Sequence, residues 1–238
     1  MGKKINPIIF RYNTNQTWQY IWHTPINKKH EYSAQFFINF FIDKYLKNIF
    51  INKNIVISKI FLLSNWNKIK IFFYLFPYLN IINNKIEINF KQSFIKKIKK
   101  NTISILQKYL KKKIFLNIFT DKNCIINEDA LISNLSFEIK KTKNIKNIIK
   151  KLFIKIKNYP QIIGLKILIK GRLTKNDQAT IIYLQKGKIP FNTIKSNILF
   201  AKNWIITRRG TYGIKIWIHV RSNTKFLRKF YKKHVITA

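Results

Sequence analysis

Acid is scarce in this sequence. Eight Asp and Glu residues stand against 47 Lys and Arg in 238 residues, a formal net charge of +39. Most of the eight are isolated, so a paired acid-base site or a magnesium cluster has little to be built from. A single cysteine, Cys124, cannot form an internal disulfide, which excludes a stapled secreted scaffold. Four histidines, at 23, 30, 219 and 234, lack cysteines at zinc-ligand spacing. No metal or other cofactor and no catalytic residue is therefore expected. The longest apolar stretch, 71–82, is short for a membrane span and is interrupted by Pro77 and Asn80. Asn6 stands where a myristoylation start needs Ser or Thr. Neither a signal-peptide core nor an Arg- and Ser-rich transit peptide opens the chain. Glycine is scarce as well: after Gly2 none occurs until Gly164, and then four more follow by Gly213. Turn chemistry is thus concentrated near the C-terminal end, where a conventional, constrained domain is expected.

What is present is apolar and basic at once. The chain is 47% hydrophobic and 15% aromatic, too apolar for a disordered basic tail. Its positive charge works against an isolated compact state, so a polyanionic partner is expected. Ile (48), Lys (41), Asn (27), Phe (20) and Tyr (11) dominate, and Arg contributes only 6 of the 47 cations. These five have codons written almost wholly in A and U, whereas Arg is ordinarily the better phosphate fork. Drift in an AT-rich organelle genome accounts for the pattern, and also for the absence of an import signal.

Periodicity gives the order of elements. Phe36, Phe37, Phe40, Phe41 and Tyr45 recur at three- and four-residue steps, predicting a helix over 31–50. Strand-like runs follow at 54–65 and 68–82, and 85–90 alternates strictly. Ser93 can cap a helix over 93–110 with Phe94, Ile98, Ile105, Leu106 and Tyr109 as its apolar face. A further strand is expected at 113–119. Asn127, followed by Glu128 and Asp129, reads as the capped start of a second unit. Strands are then expected at 165–173, 178–185, 193–200 and 213–220. In the last, Ile214, Ile216, Ile218 and Val220 share one face and Lys215, Trp217 and His219 the other. The fold class expected is α+β.

The strongest local signal lies between 140 and 157. Ile145, Ile148, Ile149, Leu152 and Ile156 fall on one helical face, with Lys140, Lys143, Lys146, Lys150 and Lys157 opposite and no acid among them. Solvated helix faces usually interleave Glu with Lys, whereas a bare row of ammonium groups suits a phosphate backbone. Tyr12, Trp18, Tyr20 and Trp22 lie between Arg11 and Lys28-Lys29 and have the chemistry to stack on bases, although core packing is the commoner role. His219 lacks a nearby nucleophile or carboxylate and reads as a surface or RNA-facing residue. Cys124 reads as a small buried hydrophobe. The glycines of Gly210-x-x-Gly213 read as turn positions.

Several stretches together resemble one family. Met1-Gly2-Lys3-Lys4-Ile5-Asn6-Pro7 with Phe10-Arg11 is similar to the opening of small-subunit ribosomal protein S three. Gly164-Leu165-Lys166-Ile167, Lys170-Gly171-Arg172-Leu173, Asp177, Ala179, Gly187-Lys188-Ile189-Pro190, Thr193 and Thr211-Tyr212-Gly213-Ile214-Lys215-Ile216-Trp217-Ile218 resemble its C-terminal half. The resemblance implies a diverged type II KH-like N-terminal domain followed by an α+β C-terminal domain. The implied layout is a basic arm (1–30), a KH-like domain (31–124), the C-terminal domain (125–220) and a basic tail (221–238). The KH loop should precede the helix at 93–110, yet Ile88-Asn89-Phe90-Lys91-Gln92 holds no glycine, so no clamp on sugar-phosphate is expected there. The resemblance also implies a structural ribosomal protein that binds small-subunit ribosomal RNA, mRNA at its entry channel and neighbouring small-subunit proteins, with no membrane. Its expected home is the mitochondrion rather than the plastid. The RNA contacts implied are Lys3, Lys4, Arg11, Lys140, Lys141, Lys143, Lys146, Lys150, Lys151, Arg172, Arg208, Arg209 and Lys215. Where Lys replaces the family's common Arg, the funnel stays positive but loses bidentate grip. An organelle-encoded RNA-processing or intron-splicing protein is the alternative, but it needs a carboxylate cluster. Glu128-Asp129, the one adjacent pair of acids, is spent on a helix start.

Overall fold

Aromatic residues at helical spacing do form the expected first long helix, but they do not supply its inward face. A computed structural model describes residues 5–12, 14, 16, 18–22, 24, 29–52, 55–65, 67–76, 92–120, 127–141, 145–157, 159–173, 178–208 and 210–221. They divide into two compact units, Trp18–Asn134 on one hand and Met1–Thr17 with Leu135–Ala238 on the other. The expected strand at 85–90, the glycine-less loop at 88–91 and the tail beyond Arg221 lie outside the described residues, as does Cys124.

The first unit, Trp18–Asn134, runs β1 (Tyr20–Trp22), α1 (Lys29–Asn52), β2 (Val56–Ile57), β3 (Phe61–Ser64), β4 (Lys68–Phe76), α2 (Gln92–Leu110) and β5 (Lys113–Thr120). β4 is central: β2 and β3 pair with it antiparallel and β5 parallel along its length, while β1 adds to β3 in parallel. Its sequence, KIKIFFYLF, alternates only at first: Ile69, Ile71, Phe73 and Leu75 are buried on one face, and Phe72 and Phe76 are buried on the other beside half-buried Lys70 and Tyr74. Ile69, Ile71, Phe73 and Leu75 meet Ile42, Leu46 and Phe50 of α1 and Ile98 and Leu106 of α2 in one core. Phe50 and Phe73 lie edge to face, centroids 5.4 Å apart.

The inward stripe of α1 is Gln35, Asn39, Ile42, Asp43, Leu46 and Phe50, and Phe36, Phe37, Phe40 and Phe41 face outward, Phe37 67% exposed. Two of the three buried polar positions are bonded. Gln35 accepts a hydrogen bond from Lys112 Nζ (3.0 Å), and Asp43 is paired with Lys47 (2.6 Å). The Tyr20 hydroxyl, on a half-buried ring and bonded to Asp43, has its pKa pushed up by desolvation first and by that carboxylate second. On α2 the expected apolar face needs correction too. Ile98, Thr102 and Leu106 point inward, while Ile105 and Tyr109 are exposed.

Helix α3 (Glu128–Lys141) starts as expected: Asn127 Oδ1 accepts the backbone N–H groups of Asp129 and Ala130, both at 3.1 Å. Glu128 is buried and pairs with Lys59. Asp129 beside it has its pKa raised to about 7, by loss of water first and by the Glu128 charge second.

The second unit continues with α4 (Ile145–Lys157), β6 (Ile162–Gly171), β7 (Thr180–Lys186), β8 (Asn197–Thr207) and β9 (Gly210–Val220). The sheet order is β7-β6-β9-β8, antiparallel throughout. Leu165, Ile167, Ile169, Ile214, Ile216 and Ile218 form its inward face. α4 lies over β6, and Asn203 of β8 donates to Ser136 of α3 (3.2 Å). The strand expected at 193–200 begins later, at Asn197. The preceding carbonyls turn toward Arg11 instead of joining a ladder, as described below. Gly187 explains one of the matched glycines. Its φ is +71°, and a Cβ there would lie 2.0 Å from the Ile163 carbonyl oxygen.

Candidate nucleic-acid interface

α4 is the clearest basic surface. Ile145, Ile148, Ile149, Leu152 and Ile156 are buried, whereas Lys146, Lys150 and Lys151 are exposed on the opposite side. The split follows from helical periodicity: residues 146 and 150, four apart, stand one above the other, with 151 alongside. Lys140 and Lys141, both exposed, close α3 just ahead of this row. Lys143 lies outside the described residues. Among the described residues of this unit the only carboxylate side chain is Glu138, buried on α3, so no exposed acid of the unit's described residues stands beside Lys146, Lys150 and Lys151. Such a surface attracts any polyanion and, on phosphate, gains by counterion release.

The other expected contacts disperse. Lys215 is exposed on the side of the sheet away from the helices, and Arg208 is exposed in the turn between β8 and β9. Arg172 is half-buried after β6 and engaged within the fold. Lys3, Lys4 and Arg209 lie outside the described residues. His219, on the same side as Lys215, has its Nδ1 3.0 Å from the Lys188 carbonyl oxygen.

Arg11 requires a correction. Expected to face RNA, it is 0% exposed, at the end of a short 3-10 turn (Ile9–Arg11). Nε donates to the Ser196 carbonyl (2.9 Å) and Nη1 to that of Pro7 (3.1 Å). Nη2 reaches the carbonyls of Pro190 (3.1 Å), Phe191 (3.0 Å) and Thr193 (2.8 Å) and the Ser196 hydroxyl (3.1 Å). All three guanidinium nitrogens are committed to a cage of neutral oxygens, and burial lowers the group's pKa. No phosphate can reach it. Only a planar fork with several donors satisfies so many carbonyls at once, which is why Arg stands here in a chain otherwise rich in Lys. Gln16 reinforces the attachment by donating to the Ile198 carbonyl (2.9 Å).

Comparison with known proteins fits this geometry. The family model described as "Ribosomal protein S3, C-terminal domain" matches residues 135–218. Small ribosomal subunit protein uS3 of Carsonella ruddii is 31% identical over 227 residues, covering 94% of this chain and 100% of that protein. The chain belongs to the uS3 family. Within the family, uS3 of Pelagibacter ubique is 29% identical, with 92% of this chain and 90% of that one covered. The uS3c protein of Daucus carota is 26% identical, with 92% and 98% covered. The similarity thus runs through both units, although the family model itself stops short of the first.

One group of residues escaped the reading of the sequence. Lys166, Lys170, Lys202, Tyr183 and Trp204 join Lys215 on the outer face of the sheet. Their signal was the alternation along each strand, which assigns a face but not which strands lie side by side.

Proposed function

We infer that the chain is a structural constituent of the small ribosomal subunit, without catalytic activity, that binds ribosomal RNA. The α4 row of Lys146, Lys150 and Lys151 carries this reading, because an acid-free cationic ridge on a rigid, well-packed helix suits a phosphate backbone. The uS3 relatives supply the ribosomal setting.

Several finer points extend it. The α4 ridge, with Lys140, Lys141 and Lys143, lines the mRNA entry and helps part structured messenger. Arg208 and Arg172 supply outlying RNA contacts, together with Arg209, Lys3 and Lys4. A basic arm (1–30), a KH-like domain (31–124), a C-terminal domain (125–220) and a basic tail (221–238) describe the chain. The order helix, strands, helix, strand supports a KH-like scaffold, and the lack of glycine at 88–92 leaves it without a phosphate clamp. The A- and U-rich codon bias favours translation inside an organelle, the mitochondrion rather than the plastid.

Replacing Lys143, Lys146 and Lys150 by Gln tests the entry-channel role. Initiation on structured messages should fall more than on unstructured ones, with the fold retained. Unchanged translation of both message types would overturn it.

A further inference from the structure

Among the described residues of the second unit, α3 and α4 cover one side of the sheet, while the other is reached at its Trp217 and His219 end by Phe191 and Lys188 and is open beyond them. Its outer face forms rows of cross-strand neighbours. One row reads Ile181, Lys170, Gly213 and Trp204 across β7, β6, β9 and β8. The next reads Tyr183, Leu168, Lys215 and Lys202, and a third Gln185, Lys166, Trp217 and Phe200. Trp204 is 66% exposed and Tyr183 49%. Aromatic rings therefore stand on the two edge strands, with exposed Lys170 and Lys215 on the central strands between them and Lys202 beside Trp204 on β8. From strand spacing and rise, Tyr183 and Trp204 are about 16 Å apart across the face.

Two features show the face to be preorganised. The Lys166 ammonium lies among three rings, 4.8 Å from the centroid of Tyr183, 5.2 Å from Trp217 and 5.5 Å from Phe191. The Tyr183 hydroxyl also bonds Gln185, so this ring is held from two sides while half its surface stays open. Opposite Trp204, Gly213 has no side chain, and a Cβ there would meet nothing nearer than the Lys170 carbonyl oxygen at 4.0 Å. The indole is thus flanked by an open floor.

We propose that this outer face is a second RNA-binding surface, a stacking platform for a single-stranded segment, with bases on Tyr183 and Trp204 and phosphates on Lys170, Lys202 and Lys215. The proposal rests on the RNA-binding reading above and adds a site to it. Charge decides the occupant, since these cations share their face with no described carboxylate. Rigid aromatics beside such cations match nucleotides, which offer a π-face and a phosphate together. A four-stranded sheet whose aromatics stack two or three bases is a recurring RNA-binding design.

The test uses the full chain at moderate salt with a fluorescein-labelled twelve-residue oligouridylate, read by anisotropy across a salt series. The double variant Tyr183→Ala/Trp204→Ala should weaken binding by about thirtyfold or more, with the salt slope unchanged, because stacking releases no counterions. Gly213→Val, whose Cβ would meet nothing nearer than the Lys170 carbonyl at 4.0 Å, should also weaken binding by filling the floor, with an unchanged denaturant midpoint as the control for folding. Lys146→Gln/Lys150→Gln should instead flatten the slope by about 1.4. If the aromatic and Gly213 variants bind like the parent while the Lys pair matters, the platform is refuted and the α4 assignment stands. If neither set changes binding, both fall. Ultraviolet cross-linking of intact small subunits gives an independent result. Nucleotide adducts on Tyr183 or Trp204 support the platform, whereas links from Lys170 or Lys215 only to acidic residues of a neighbouring protein overturn it.

Discussion

Replacing Arg11 by Met separates a structural role from an RNA contact. The substitution keeps an unbranched apolar stem but removes six hydrogen bonds, between 2.8 and 3.1 Å long, to a buried cage. These share three nitrogens, so counting all six would overstate the effect. Taking about 1.5 kcal/mol for each nitrogen, the low end for bonds to a charged group, gives a loss of about 4–5 kcal/mol. Folded domains hold only about 5–15 kcal/mol in all, so the unit should be close to unfolding. Arg11→Lys should recover part of the loss, because one ammonium can serve a few of these carbonyls but not all. Urea unfolding of the full chain at about 0.5 M salt, where charge repulsion is screened, reads the midpoint. Hydrogen exchange should show protection lost first at 190–198, the segment the guanidinium and Gln16 hold. An unchanged midpoint for Arg11→Met would refute the cage. So would a parental midpoint together with an RNA salt slope lower by about one, since that is the signature of a lost phosphate contact.

Two further outcomes follow from the geometry. Gly187→Ala should cost at least about 1–2 kcal/mol of stability, read as a lower denaturant midpoint, since its φ of +71° and the Ile163 carbonyl 2.0 Å from a Cβ both oppose a side chain; a parental midpoint would show that the turn yields freely. Asp129, with its folded pKa raised to about 7 against an ordinary 3.8, favours the protonated form in the folded state. Its contribution is therefore complete below about pH 4 and is lost as pH rises through 7, so Asp129→Asn should flatten this part of the melting profile, and an undiminished pH dependence would argue against the assignment.

Local chemistry was legible in the sequence wherever one residue decided it. Asn127 caps α3 through its own oxygen, and the Ile and Lys sets of α4 separate because periodicity forbids both from facing inward. The strict alternation of 214–220 assigned the faces of β9 correctly for the same reason. What failed needed a partner distant in sequence. Arg11 looks like any other cation near a basic N-terminus, and only the fold brings it to carbonyls about 180 residues away. Those same carbonyls delay the start of β8, so one long-range contact accounts for two departures. The rows Ile181-Lys170-Gly213-Trp204 and Tyr183-Leu168-Lys215-Lys202 depend on strand order and register, which alternation within a strand does not contain. α1 shows the limit from the other side. Its aromatic recurrence announces a helix, yet the inward stripe carries Gln35, Asn39 and Asp43, because Lys112, Lys47 and Tyr20 are placed to bond two of them. An exposed run of Phe36, Phe37, Phe40 and Phe41 is costly for a free chain and tolerable for one that works inside an assembly. In a chain of +39 charge, exposed aromatics and bare Lys faces are thus two parts of one condition: the folded protein is complete only when neighbours cover it.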